Sequence, residues 1–392
     1  MNKKILVLGG YGSTGKHICH YLLQESNADV IVAGRDLSKG EALATDLNVQ
    51  FGKGRVTAIA ADASNAESLN SAFDGVDMVV VASSTVKYTE IIARACIKAG
   101  ADYFDVNVSD KKNTLLRKLA PEMKEAGLCF VTDGGFHPGV PAALVRYAAK
   151  LFDEPEHANV GSVIQVDWKQ YDIADATAEE MMTEFLNIKS SYYRNGKWHK
   201  PKMWGMFDLL KFDFGKPFGK QECFPMQLDE MKSLPEEIPS LLETGFYIGG
   251  LNWFTDWFVF PIAMVGMKIS KRFARPLGRW MLWSMRKFSS PPYGTILRLE
   301  ARGTKGGQPY ALFFQLEHQD GYVFTAIPAV ACLLQLLDGS IRKPGLHWQA
   351  LAVQPERFLA DMERMGIEMK GMSPRWHKVY ANDDDLNPKC VA

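Results

Sequence analysis

Residues 5–15 read Ile-Leu-Val-Leu-Gly-Gly-Tyr-Gly-Ser-Thr-Gly, an apolar run that breaks into Gly10-x-Gly12-x-x-Gly15. The apolar part suits a buried parallel strand, and the glycines let the backbone turn sharply and approach a pyrophosphate. A helix from about Gly15 to Gln24, with apolar Ile18, Tyr21 and Leu22, would direct its first N–H groups at the phosphates. The context of strand, glycine turn, helix and second strand predicts a dinucleotide site, with Gly10, Tyr11, Gly12, Ser13, Thr14 and Gly15 as its phosphate loop.

Working outward, the pattern repeats. Strands are predicted at Lys4–Leu8, Val30–Ala33, Val56–Ala60, Met78–Ala82, Tyr103–Val106 and Leu128–Thr132. Helical stretches such as Ala66–Phe73, Thr89–Ala99 and Asn113–Ala126 lie between them. Such alternation implies an α/β fold of the Rossmann type, a doubly wound parallel sheet that binds ligands at the carboxyl edge of its strands.

After Asp133-Gly-Gly-Phe-His-Pro-Gly-Val-Pro the character changes. A helix is expected over about Ala142–Lys150, a strand over Ser162–Gln170, and a hairpin at Tyr193-Arg-Asn-Gly-Lys-Trp198, whose Asn-Gly supplies positive φ angles. Residues 293–303 and 308–317 read as another strand pair, 325–337 as an apolar helix, and about Pro355–Met365 as the last helix. The pattern divides the chain into a nucleotide domain (1–138), an α+β substrate and dimerisation domain with a largely antiparallel sheet (139–322), C-terminal helices returning to the first domain (323–372), and a polar tail (373–392).

Composition narrows the class. The 45 basic and 45 acidic residues cancel, which gives no overall attraction to nucleic acid, and 47% apolar residues suit a folded enzyme. Cys19, Cys96, Cys129, Cys223, Cys332 and Cys390 lack metal-ligand spacing and read as reduced residues of a cytoplasmic protein; no metal is expected. The first strand begins at once after Met-Asn-Lys-Lys, which leaves no room for a signal peptide.

The second strand ends Ala33-Gly34-Arg35-Asp36, with Ser38 and Lys39 close behind. A guanidinium grips phosphate oxygens in pairs, so Arg35 and Lys39 favour the 2′-phosphate of NADP. Asp36 keeps NAD open, because an acidic residue there accepts from the ribose; equally, Arg35 and Asp36 would simply pair. Asp62 is placed to meet the adenine amino group, and Ser83 and Ser84 to line the path to the nicotinamide.

Three further segments complete the pattern: Gly135-Phe-His-Pro-Gly139, Gly321-Tyr-Val-Phe-Thr325 with its apolar helix to Gly339, and Gly345 followed by Met365-Gly-Ile367. Together with the opening glycines and the Ala-Gly-Arg-Asp strand end, they make the chain resemble the saccharopine dehydrogenase-like oxidoreductases, over most of its length. That resemblance implies a nicotinamide-binding domain, an inserted substrate domain, dimers, and either reduction of amino-acid or polyamine imines or a link to lipid enoyl reduction. Where saccharopine- and carboxyspermidine-type members often carry Asp before Pro-Gly, this chain has His137.

Hydride transfer needs no protein nucleophile, but a proton must reach the reduced centre. His137 is the leading candidate donor, followed by Asp105 and Asp133, with Asn107 nearby. Tyr193-x-x-x-Lys197 matches the spacing of short-chain dehydrogenases, yet its internal Asn195-Gly196 argues for a hairpin. A non-enzymatic NADP(H) sensor is the alternative outside enzymes.

Residues 245–267 are largely apolar, and Asp256 in their middle argues against a membrane span. Beyond them, Lys268, Lys271, Arg272, Arg275, Arg279, Arg286 and Lys287 interleave with Trp280, Leu282 and Trp283. Such a stretch suits a membrane surface, a dimer face or a wall of the substrate cleft.

Overall fold

A computed structural model of the chain describes residues 2–52, 54–170, 182, 189–201 and 208–371. They form two compact units. The first takes residues up to Tyr147, then Leu228–Lys232, then Asp320–Ile367. The second takes the intervening segments and the residues from Glu368.

In the first unit the chain runs β1 (Lys4–Leu8), α1 (Gly15–Glu25), β2 (Asp29–Gly34), α2 (Leu37–Phe51), β3 (Val56–Ala60), α3 (Ala66–Ala72) and β4 (Met78–Val81). It continues through α4 (Thr89–Ala99), β5 (Asp102–Asp105), α5 (Asp110–Glu125), β6 (Cys129–Thr132) and α6 (Pro141–Ala149). Apart from the edge strand β3, of which only Val56 is buried, the strand cores are Val, Ile, Leu and Phe with little exposure, as strands covered by helices on both faces require. All pair in parallel, so every carboxyl end reaches the same edge.

A seventh strand went unforeseen. With β15 denoting Gly345–Trp348, the order is β15-β6-β5-β4-β1-β2-β3, and β15 lies parallel to β6. Its four residues, Gly-Leu-His-Trp, carry too little apolar signal to announce a strand. The helix Gly321–Leu337, which starts four residues before the expected Thr325, packs on α1. Asp320 sets its start by accepting from the N–H groups of Tyr322 and Val323 at 2.7 and 3.2 Å.

The second unit holds a mixed sheet in the order β10-β11-β12-β7-β13-β14-β16. These are β7 (Glu154–Gln165), β10 (Leu210–Asp213), β11 (Lys220–Met226), β12 (Glu243–Gly249), β13 (Gly294–Lys305), β14 (Gln308–His318) and β16 (Glu368–Gly371). Only the β12–β7 pairing along this path is parallel. The strand expected at Ser162–Gln170 is displaced: β7 begins at Glu154, and Asp167 ends the extended run by accepting from Lys169 N–H at 3.2 Å. Its polar opening, Glu-Pro-Glu-His, concealed it.

Tyr193 and Lys197 stand on facing strands, β8 (Tyr192–Arg194) and β9 (Lys197–His199), with Asn195 and Gly196 at positive φ. They share no helix face, so the short-chain dehydrogenase spacing is coincidental. Residues 245–267 are not one helix either: they comprise the end of β12, a π-turn at Thr255–Val259 and most of the helix Phe260–Ile269. Among the described residues no helix is long and apolar enough to cross a membrane. The expected polar tail and the stretch after Gln170 fall outside the described residues, apart from Met182.

Candidate functional site

The glycine turn does three different jobs. Gly9, at φ 87°, approaches β4 so closely that a Cβ would lie 2.6 Å from that of Ser83. A Cβ on Gly15 would lie 2.1 Å from the Gly9 carbonyl oxygen, so the start of α1 packs directly on the turn. Gly12 is different: its nearest neighbour would be the Gly9 oxygen at 3.0 Å. The absent side chain there leaves open space beside the N-terminus of α1, whose positive dipole end favours a negative charge, although the N–H groups of Lys16 and His17 are already bonded to the Gly12 and Thr14 carbonyls. These residues fit a dinucleotide pyrophosphate.

Tyr11 ties the loop to β2. Its hydroxyl accepts from Asp36 N–H at 3.0 Å, and its ring lies where a Gly34 side chain would be, 2.5 Å from an added Cβ. Gly34 is therefore part of the site, a role the sequence did not single out.

Around the ribose end, Asp36 is occupied as the N-cap of α2. It accepts from Lys39 N–H at 3.3 Å and from the Ser38 hydroxyl at 2.7 Å, which holds its pKa below the usual carboxylate value, and Lys39 Nζ stands 3.4 Å away. Arg35 is exposed at the strand end, while Asp36 turns to Ser38 and Lys39. Asp62 accepts from the Ser64 N–H and hydroxyl, which with Arg35 nearby lower its pKa. Ser83 touches the Thr85 hydroxyl at 3.1 Å, and Ser84 is exposed.

Arg35→Ala is expected to weaken NADPH binding by roughly ten- to hundredfold, the value of a charge-assisted hydrogen bond. NADH binding should hardly change. Titration of both nucleotides checks this, and equal losses would separate Arg35 from the 2′-phosphate.

At the ends of β5 and β6 lies a buried ionic cluster. Lys112, from the first turn of α5, donates to Asp105 at 2.5 Å, to Asp133 at 2.9 Å and to the Asn107 carbonyl. Asp105 also accepts from Thr132 at 2.8 Å and from Asn107 N–H at 3.0 Å, and Asp133 from Asn113 at 2.8 Å. Burial works against the Lys112 charge, but the two carboxylates outweigh it and raise its pKa, so it stays protonated; burial pushes Asp133 up. Lys112, Asn113 and Thr132 were missed from the sequence. The signal was present, since 112, 116, 119 and 123 fall on one helix face whose other members, Leu116, Leu119 and Met123, are buried.

His137 sits on the loop that leaves β6. Part of the residue reaches the surface, but its Nε2 is sealed from solvent, and burial pushes the imidazole down to about 4. At neutral pH it is therefore uncharged. Its ring meets Phe136 edge-on at 3.8 Å, and Phe136 in turn stacks on Phe324 at 4.8 Å.

Two residues distant in sequence hold this loop. The Gln349 amide donates to the Gly135 and Gly139 carbonyls at 2.9 and 3.1 Å and accepts from Gly135 N–H at 3.2 Å. Glu230, fully buried, accepts from Gly139 and Ala142 N–H at 2.7 and 3.2 Å, so it caps α6 from the short returning segment Leu228–Lys232. Burial pushes its carboxyl up to about 8.

A group raised in this way binds its proton more tightly folded than unfolded. Its contribution is complete below the ordinary Glu value near 4.5 and is lost as pH rises through about 8. The unfolding free energy read from urea melts should therefore fall across that window, by up to about 1.4 kcal/mol per pH unit. Glu230→Ala should remove this slope and cost about 1–3 kcal/mol through the two uncapped N–H groups.

Among the described residues no group of His, Cys, Asp and Glu could hold a metal ion. The glycine turn and the exposed Arg35 and Lys39 fit a pyrophosphate and a 2′-phosphate, the combination that an NADP-dependent oxidoreductase domain needs. Residues 5–131 match the family described as saccharopine dehydrogenase NADP binding domain, and the chain is an NADP-dependent oxidoreductase similar to the saccharopine dehydrogenase-like enzymes.

Two relatives align along nearly their whole length. Carboxynorspermidine synthase of Vibrio cholerae is 25% identical over 91% of this chain and 94% of its own. Carboxyaminopropylagmatine dehydrogenase of a Synechocystis strain is 24% identical over 96% and 97%. Saccharopine dehydrogenase (L-Glu forming) from Saccharomyces cerevisiae shares the fold, with a TM-score of 0.67 at 14% identity, covering 95% of this chain and all of that one.

Proposed function

We propose that the chain transfers a hydride between NADP(H) and the carbon–nitrogen double bond of an amino-acid-type imine. Bound NADPH supplies the hydride. A protonated imine already carries its proton on nitrogen, so the product amine forms without an acid to protonate carbon. Reduction of an enoyl substrate does require such an acid.

One observation carries this preference: each candidate acid is unsuited to protonating carbon. Asp105 and Asp133 are bound to Lys112, and His137 is neutral. The names of both long-range relatives, which describe carboxylated amines, support the same reading. In it, Gly10 to Gly15 and Arg35 hold the nucleotide, and the Lys112 cluster fixes the ends of β5 and β6.

The test is NADPH oxidation with a panel of primary amines, each mixed with small amino-acid aldehydes. Turnover with an amine–aldehyde pair is expected; turnover confined to α,β-unsaturated acyl compounds would overturn the reading. His137→Gln should lower kcat/KM by less than about tenfold. A loss within the 10²–10⁴ range of general acid catalysis would instead make His137 the proton donor.

A further inference from the structure

The second unit exposes an apolar strip that no described residue covers. Along the π-turn and the helix Phe260–Ile269, Phe258, Ile262, Val265 and Ile269 follow helical spacing and are 49–74% exposed. Val259 and Ala263, on the other face, are fully buried. The helix is thus apolar on both its inner and its outer side.

At its amino-terminal end the strip merges with an aromatic cluster. Trp253 meets Phe258 and Phe288 edge-on at 6.0 and 5.6 Å, and Trp283, from the helix Ala274–Phe288, meets Phe288 at 5.7 Å. Trp253 is 60% and Trp283 49% exposed. A hydroxyl contact between Thr255 and Ser284, 2.7 Å and buried, joins the two helical segments beneath them.

Along the sequence the charge of this segment is of one sign. From Trp257 to Leu299 the sequence contains no Asp or Glu. Asp256, just before, accepts from Leu251 N–H at 3.0 Å and so turns back onto the backbone. Arg272, beside exposed Phe273, and Lys287, beside Phe288, are both exposed.

We propose that this face docks on a bilayer surface carrying anionic lipid, with Trp253, Phe258, Ile262, Val265, Ile269 and Trp283 entering the headgroup boundary and Arg272 and Lys287 meeting lipid phosphate. Tryptophan and phenylalanine at the edge of an apolar strip, bordered by Lys and Arg, are what an interfacial helix presents. With no helix among the described residues able to span, the attachment is peripheral. A second copy is the poorer occupant, because a two-fold contact through this face sets one basic surface against another. The proposal is independent of the imine reading, and either stands if the other fails.

Co-sedimentation of the full-length protein with vesicles tests it. Binding to equimolar phosphatidylcholine and phosphatidylglycerol should exceed binding to phosphatidylcholine alone by at least tenfold and weaken in high salt. Ile262→Ser with Ile269→Ser should reduce it at least tenfold with an unchanged thermal melt. No binding, or equal binding to both vesicles, would overturn the proposal. So would sedimentation velocity showing that the double variant separates a dimer while neither form binds vesicles.

Discussion

Lys112→Met is expected to lower the unfolding free energy by about 3–5 kcal/mol, the cost of removing one partner from a buried ion pair. Methionine nearly matches the volume, so the loss is electrostatic: Asp105 and Asp133 remain inside without their shared cation. Denaturant melts at neutral pH check the magnitude. A second measurement identifies the cause, because the deficit should shrink on acidification, when each carboxylate can take up a proton. A deficit independent of pH would mean that the cluster contributes packing rather than charge pairing.

The second large effect concerns the phosphate turn, where two glycines separated by three positions should fail in different ways. Gly15→Ala places a methyl 2.1 Å from the Gly9 oxygen and 2.9 Å from the Gly10 Cα, both backbone atoms that cannot swing aside. The turn must open, and both thermal stability and NADPH binding should fall. Gly12→Ala meets only one atom, at 3.0 Å, so the free protein should melt within about 1 kcal/mol of the wild type, the level of a mild surface change. NADPH affinity should nevertheless drop by at least tenfold, since the methyl occupies space kept for pyrophosphate. Calorimetric titration beside a thermal melt separates the two; wild-type affinity in Gly12→Ala would displace the diphosphate from this turn.

How much of this was legible follows from where each signal lies. Strands β1, β2, β4 and β6 announce themselves because a buried parallel strand is nearly all apolar, and the ends of all six strands β1 to β6 agree with expectation to within a residue or so. Strand β15 is short and half polar, and it becomes a strand only because β6 presents an open edge to it. The glycine turn was readable as a motif, but the separate duties of Gly9, Gly12 and Gly15 depend on distances to neighbouring chain.

The candidate acids show the same limit. Asp105, Asp133 and His137 were readable as chemistry-bearing residues at strand ends, whereas their protonation depends on Lys112 and on burial, which no local spacing gives. Gln349 and Glu230 lay further out of reach, because their partners stand 210 and 91 positions away in the chain. Arg35 was read for its charge, and the structure adds that Asp36 is engaged as a helix cap.

The helix Gly321–Leu337 against α1, the strand β15 beside β6 and the returning Glu230 together restrict how this protein can be shortened. A fragment ending at Tyr147 retains every phosphate-loop residue but lacks the side chains that cover α1, the outermost hydrogen-bonded neighbour of β6 and the carboxyl group over α6. Expressed alone, such a piece would bare an oily helix flank and an unsaturated sheet border. The nucleotide-binding half is thus assembled from segments that lie on both sides of the other half in the chain, and a ribosome must have passed Ile367 before that half can close.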